Sequence, residues 1–504
     1  FMNQTHIRVC YIMGTNTITE FVHGNERKIR IKMRPFYLLN RNDTPALSDK
    51  HRLLTYKQLL DEVLACKQIL EDNGYGVGHR ICIQGPNRVE TWIWMIAASF
   101  DASGTTLPWN ASEYTENARL KKNNANVVVR LNKDGTVKEL DHKHFDKATT
   151  QTKEYMCQYS SGTTNKHGIP TCYSGVYELD EDCWGGDGRQ AISYRLKGNP
   201  DFANPVTNRF LNIMQPYIPW SQDLTYHTLM MGGWVHVIND PSEYDSACEY
   251  QKPTWIIGFP LSLQKVMDAN EGGHKINTLE FTGGIVTTEQ QEAWQSFYNP
   301  DQYMNVYGEG SVGTYTVNFA KAGEDIRHVG KQLDWHKHSG GEVRIGAKGT
   351  VEVRGLNTPG DEWWDSDDLA EMTPEGNLNI IGRANEVIIS RGGANIFPYE
   401  IAEFIGKHDK VNDCYLYKII VDDERGEMPG CVYSGSVSPE HFYNYTKNKV
   451  EGYQVPLKFT RLKDTLPKLL QSKGDKFQAP KINLFFMSDT LKENAEWIVD
   501  EYEG

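Results

Sequence analysis

Residues 55–73, TYKQLLDEVLACKQILEDN, place apolar side chains at Leu59, Leu60, Val63, Leu64, Ile69 and Leu70, the recurrence of one helical face. Thr55 and Gln58 stand three apart as a capping box at its start, and Gly74 stops it. RICIQG (80–85) has the length and composition of a strand, and WIWMIAASF (92–100), apolar all round, reads as a buried helix. NVVVR (126–130), WVHVI (234–238) and TWIIGF (254–259) are further β-branched or aromatic runs between helical patterns. That alternation predicts layered α/β structure with a mainly parallel sheet.

The texture changes after about residue 340. GEVRIG, GTVEVRG and GNLNIIG are close-spaced strands joined by glycine-containing turns, TPEGN (373–377) among them, and predict an antiparallel sheet or small barrel. A compact α+β segment starts at Gly382, with Pro398 suited to the first position of a helix through PYEIAEFIGKH. Residues 488–501 again show helical spacing, at Leu491, Ala495, Ile498 and Val499. At 504 residues the chain exceeds one core. The expected architecture is a large α/β N-terminal domain of layered subdomains plus a small β-barrel, residues 1–381, followed by a small α+β C-terminal domain, residues 382–504.

Composition narrows the function. A formal charge of −13 argues against a general nucleic-acid binder, which needs clustered Lys and Arg. No run of eighteen apolar residues appears, so no membrane span is expected, and the first residues, FMNQTHIRVC, lack the form of a signal peptide. A cytoplasmic location is the resulting expectation. Nine cysteines without a CxxC pair read as reduced core thiols rather than a zinc site or disulfide framework.

One loop carries candidate chemistry. YSSGTTNKHGIP (159–170) strings together Ser160, Ser161, Gly162, Thr163 and Thr164, five small positions whose N–H and O–H groups can wrap an anion, phosphate above all. In isolation the same run reads first as a flexible linker. Downstream come NVYGEG (305–310), WWDSDDLA (363–370), GRANEVIISRGGANIFPYEIAEF (382–404) and LPKLLQSKGDK (466–476). Taken singly, Tyr307 is a core tyrosine, Asp365, Asp367 and Asp368 a solvated acidic turn, and Lys473 a solvated lysine.

In their order and spacing these stretches resemble the adenylate-forming superfamily of acyl-CoA and aryl-CoA ligases, peptide-synthetase adenylation domains and luciferases, over roughly residues 54–476. The resemblance implies that ATP and a carboxylic acid form an acyl-adenylate and pyrophosphate, and that the acyl group then passes to a thiol, CoA in the first instance or a carrier-protein phosphopantetheine acting in trans. It assigns Ser160, Ser161, Gly162, Thr163 and Thr164 to the β- and γ-phosphates, Tyr307 to stacking on adenine, and Asp368 and Arg383 to the ribose. Lys473 becomes the catalytic lysine bridging carboxylate and α-phosphate, with Lys468 and Lys476 as competitors. Asn385 falls at the hinge about which the family rotates its small mobile domain, and Gly392 and Gly393 at the turn that faces the thiol tunnel. Gly283 and Gly284, in FTGGIV, border adenine and substrate. Phe259, with Tyr217 or Trp220 in QPYIPWSQDLTYH, is a candidate for the acyl pocket, which points to an apolar or aromatic acid.

The chain departs from the family at places that matter. Asn165 stands where glycine is usual, and Gly310 and Ser311 follow NVYGE where the family has Thr and then a magnesium-binding Glu. A magnesium ion is therefore expected with its ligands unassigned, and Glu309 is one place away. Asn385 replaces the usual Asp or Lys. A nucleotide-binding or scaffold protein with impaired turnover is the alternative from another class.

Overall fold

The computed structural model describes residues 18–22, 25–29, 42–109, 120, 124–143, 195, 198–202, 204–284, 286–309, 313–332, 341–354, 362–384, 387–389, 395–422, 426–463 and 498–504. A hairpin of β1 (Ile18–Val22) and β2 (Asn25–Ile29) is followed by β3 (Pro45–Ser48), β4 (Leu53–Thr55) and α1 (Tyr56–Asp72). The Thr55 hydroxyl accepts from the Gln58 N–H while the Gln58 side chain accepts from the Thr55 N–H, so the expected capping box is present. Gly74 takes φ +81°, the left-handed turn that ends the helix.

The strands β5 (Arg80–Gln84), β6 (Ser103–Thr106), β7 (Val127–Leu131) and β8 (Val137–His142) form one sheet in the order β6-β5-β7-β8, with α2 (Val89–Asp101) linking β5 to β6. Next come β9 (Arg209–Asn212), α3 (Pro219–Met230), β10 (Trp234–Val237), α4 (Tyr244–Gln251), β11 (Trp255–Gly258), α5 (Pro260–Ala269), β12 (Thr278–Thr282), α6 (Thr288–Tyr298), β13 (Gln302–Glu309), β14 (Gly313–Lys321) and β15 (Lys331–Gln332). They build a nine-stranded sheet ordered β15-β14-β13-β12-β11-β9-β10-β3-β4, parallel from β13 to β3 and antiparallel at its edges. One face shares a core with α1, α2, α3 and the smaller sheet, through Tyr56, Trp92, Phe210, Leu224 and Trp255. The other face packs α4, α5 and α6, through Tyr244, Leu263, Trp294 and Tyr298. This is the layered arrangement that the alternating pattern predicts, because each apolar strand is covered on both sides.

Past residue 340, β16 (Glu342–Ile345), β17 (Thr350–Arg354), β18 (Trp364–Met372) and β19 (Leu378–Arg383) make an open antiparallel sheet in chain order, where a sheet or small barrel is expected. A short hairpin, β20 (Ile388–Ile389) and β21 (Asn395–Ile396), leads into α7 (Pro398–Gly406), whose first residue is the proline expected there. The remaining elements are β22 (Val411–Asp422), β23 (Gly426–Gly435), α8 (Pro439–Lys447), β24 (Lys458–Leu462) and β25 (Ile498–Glu503), their strands ordered β22-β23-β24-β25.

The helix expected over residues 488–501 is corrected at its C-terminal end, where Ile498–Glu503 is a strand paired antiparallel with β24. Here exposure alternates residue by residue, and the acidic stretch finds cations on its neighbour: Arg461 binds Asp500 at 2.7 Å and Lys458 binds Glu501 at 2.7 Å. Cross-strand pairing outweighs a weak helical spacing. Among the described residues no helix is long and apolar enough to cross a membrane.

Candidate active site

The nine-stranded sheet contains a reversal of strand order. From β9 the chain crosses through α3 to β10 on one side, then returns through α4 to β11 on the other. Right-handed crossovers in opposite directions put α3 on one face and α4 on the other, opening a crevice at the carboxyl ends of β9 and β11. The segments leaving those ends carry the candidate residues. Tyr217 and Trp220 follow β9, Phe259 follows β11, Gly283 and Gly284 follow β12, and Tyr307 lies near the end of β13. Residues far apart in sequence are thereby ranged along one sheet edge.

The turn between β9 and α3 is held by buried amides. Asn212 Nδ2 donates to Ser221 Oγ at 2.9 Å and Thr225 Oγ1 at 3.0 Å, and its Oδ1 accepts from the Met214 N–H. Asn87 Nδ2 reaches the Met214 carbonyl at 3.1 Å, and Gln222 Nε2 donates to the Pro216 carbonyl at 2.7 Å and to Thr106 Oγ1 at 2.8 Å. Tyr217 and Trp220 are half-buried on this clamped turn, and Phe259 is 8% exposed. The Arg195 guanidinium lies 5.5 Å from the centre of the Trp220 ring. It also makes a two-point ion pair with Glu280 of β12, at 2.9 and 2.5 Å, with both side chains 0% exposed. Eighty-five residues separate that pair, and neither periodicity nor a motif points to it.

Three expected nucleotide residues meet in one network. Tyr307 Oη donates to Asp368 Oδ2 at 2.8 Å and lies within hydrogen-bond distance of the Ser366 hydroxyl at 3.3 Å, and Arg383 Nε binds Asp368 Oδ1 at 2.8 Å. Asp368 and Arg383 are register partners on β18 and β19. Their approach to Tyr307 depends on a bulge: Asp365 and Leu369 of β18 pair with Glu352 and Thr350 of β17, so three residues, Ser366 to Asp368, stand opposite one. At the centre of the bulge Asp367 takes φ +59°, a left-handed angle that costs an L-residue other than Gly about 1–2 kcal/mol and that Asp tolerates better than most. The Ser366 hydroxyl accepts from the Asp368 N–H, which aims the carboxylate. Burial, followed by the neighbouring Asp368 carboxylate, pushes the Tyr307 hydroxyl well above its ordinary pKa, so it remains a donor. Ser366 sits inside a quoted motif, yet its role is visible only in this geometry.

Gly283 takes φ +74° at the end of β12, and a Cβ on Gly284 would lie 3.0 Å from Pro260 Cγ, so the pair permits a close passage of α5 past the β12 end. Thr282 and Val306 are register partners, which puts the glycines beside the strand bearing Tyr307. Ser160, Ser161, Gly162, Thr163, Thr164, Asn385, Gly392, Gly393 and Lys473 lie outside the described residues, as do Gly310 and Ser311. Among the described residues no group of three or more His, Cys, Asp or Glu is placed to hold a metal ion.

An Asp–Arg–Tyr cluster thus stands near the carboxyl ends of a parallel sheet, the place where α/β folds bind ligands. The comparison with known families makes this specific, since the model of the AMP-binding enzyme family matches residues 38–358, more than half of the chain. The chain belongs to that family. Among curated proteins, it is 28% identical over 117 residues to the mitochondrial medium-chain acyl-CoA ligase of Macaca fascicularis, a match spanning 23% of this chain and only 19% of that relative. Among solved structures, it resembles ATP-bound MatB from Rhodopseudomonas palustris with a TM-score of 0.72 at 16% identity, over 92% of this chain and 100% of that one. The o-succinylbenzoate coenzyme A synthetase of Bacillus subtilis, in complex with ATP and a magnesium ion, gives 0.69 at 18% identity, over 87% and 96%. At these identities the structural likeness establishes the fold.

Proposed function

We propose that this chain uses ATP to activate a carboxylic acid as an acyl-adenylate, releasing pyrophosphate, and then transfers the acyl group to CoA. The observation that carries the reading is the Tyr307–Asp368–Arg383 network beside Gly283 and Gly284, at the sheet edge where α/β folds bind ligands. Asp368, fixed by Arg383 and by the Ser366 hydroxyl, offers a carboxylate to the two ribose hydroxyls. The Tyr307 ring lies beside it as a surface for adenine, with its edge against Tyr315 at 5.6 Å between centroids.

A carboxylate approaching the α-phosphorus brings two anions together, so the chain must supply donors for the approach and for the departing pyrophosphate. In this reading Ser160, Ser161, Gly162, Thr163 and Thr164 wrap the β- and γ-phosphates, and Lys473 stands between carboxylate and α-phosphate. Residues 382–504 act as the mobile small domain, hinged at Asn385, with Gly392 and Gly393 lining the path of the thiol. Magnesium accompanies the triphosphate, as in the ATP complex of the Bacillus subtilis synthetase.

The acid binds in the crevice between α3 and α5. Tyr217, Trp220 and Phe259 supply an aromatic wall there, and Arg195 has its charge already matched by Glu280, which favours an apolar or aromatic acid. CoA is favoured over a carrier protein because the relatives are CoA ligases by name. The half-buried and buried free thiols Cys66, Cys82 and Cys248 suit a reducing, cytoplasmic setting.

The deciding experiment is pyrophosphate release with a panel of aliphatic and aromatic carboxylic acids, with and without CoA. At least one acid should release pyrophosphate in the absence of CoA and yield a thioester in its presence. ATP binding without release for any acid would reject ligase activity in favour of a nucleotide-binding role.

A further inference from the structure

The long strands β22 and β23 hold two thiols against one another. In their register Cys414 faces Tyr433 and Leu416 faces Cys431, so the two cysteines are diagonal neighbours on one side of the ribbon, with Sγ atoms 3.7 Å apart. Cys431 is fully buried in a core with Ile388, Ile396, Ile401 and Ile405. Cys414 is half-buried at the rim of that core, beside Gly406 at the end of α7, where a Cβ would stand 3.4 Å from Cys414 Cβ. A buried cysteine is ordinarily an inert small hydrophobe. A second sulfur in van der Waals contact changes the available chemistry, because one thiol can capture what the other has bound.

We propose that Cys414 and Cys431 are a reversible dithiol–disulfide site that exchanges with low-molecular-weight disulfides. Cys414 gives up its proton to solvent and attacks one sulfur of the small disulfide. The S–S bond breaks, and one small thiolate leaves with the electron pair and takes up a proton. Cys431 then loses its proton and attacks Cys414 Sγ, which expels the second small thiol. Two protein thiols are oxidised and one disulfide is reduced to two thiols, so protons and electrons balance.

Access sets the order of attack, since Cys414 is partly exposed and Cys431 is buried. Burial, reinforced by the contact with Cys414, holds the Cys431 thiol well above its ordinary pKa, which makes ring closure the slow step. Closure draws the sulfurs from 3.7 Å to the covalent separation of about 2.05 Å. That movement lies directly beneath α7, whose Ile401 and Ile405 pack in the same core, and α7 continues β21 through Pro398. The site is independent of the acid and nucleotide assigned above.

The test is to incubate the full chain with oxidised glutathione, alkylate the remaining thiols, and map the peptides by mass spectrometry without reduction. A peptide pair linked through Cys414 and Cys431, lost on adding dithiothreitol, is expected. Cys431→Ser should stop at a glutathione adduct on Cys414, and Cys414→Ser should slow modification of Cys431 by about tenfold or more. Cys414 and Cys431 of the unaltered chain both being recovered alkylated when the treated protein is unfolded in the alkylating agent, or either being linked to a different cysteine, overturns the proposal without reference to any variant.

Discussion

Around Asp368 the structure leaves charge partly open to water: the carboxylate is 14% exposed, its partner Arg383 is 31% exposed, and the hydroxyls of Tyr307 and Ser366 complete the group. Around Trp220 it does the reverse. The ion pair of Arg195 and Glu280 is sealed, the turn is clamped by amides, and His227 is buried. An open cluster can trade its hydrogen bonds for those of a ligand at small cost, while a sealed pair holds shape and is costly to disturb. In the proposed reading the first arrangement receives a polar nucleotide and the second is a rigid wall for an apolar acid.

The largest expected effect comes from breaking the sealed side. Glu280→Gln removes the charge partner of a fully buried guanidinium and should cost about 3–5 kcal/mol of stability, measured by denaturant unfolding. A loss under about 1 kcal/mol would show that water reaches the pair. On the open side, Asp368→Ala should lower ATP affinity tenfold or more through charge-assisted bonds of about 1.5–3 kcal/mol, with a much smaller change in unfolding. Calorimetry giving an unaltered affinity would remove Asp368 from the nucleotide site.

Acid sharpens the contrast. Burial, helped by Arg195, depresses His227 to about 3, and burial depresses His236 to about 4 against the opposing pull of Asp49. Both are below the unfolded value of about 6.5, so the unfolded chain takes up protons first. Their neutral burial costs nothing above about pH 6.5, and stability should fall as the pH drops from there toward 4. Replacing His236 with Gln should flatten that decline in a urea-midpoint series, and an unchanged slope would exclude the buried imidazole as its source. The smallest effect belongs to the bulge. Asp367→Gly relieves a left-handed φ but loosens the unfolded chain, so the melting temperature should change by no more than about 1 kcal/mol would produce. A large loss would mean that the Asp367 side chain itself supports the cluster.

The capped helix α1, the buried helix α2, the strands β5, β7, β10 and β11, and the proline that opens α7 are all readable from the chain, because each depends on spacing within one short stretch. The order of motifs likewise groups Tyr307, Asp368 and Arg383, and the structure brings the three into contact. The strand β25 escaped, since Ile498 and Val499 satisfy a helical spacing as well as a strand, and only Lys458 and Arg461 on β24 select the strand. Arg195 and Glu280 escaped for a related reason: a lone arginine and a lone glutamate carry no local sign that they will be buried together.

Local periodicity, capping and turn chemistry therefore fix those elements, and motif order points to the family, because both are written in neighbouring residues. Tertiary structure decided the rest. The order of the parallel strands ranges the carboxyl ends of β9, β11, β12 and β13 along one side of the sheet, the bulge at Asp367 turns Asp368 toward Tyr307 across sixty-one residues, and the β22–β23 register brings Cys414 and Cys431 into contact. These are contacts between distant parts of the chain, and they exist only once strand order and register are chosen by the packing of the whole.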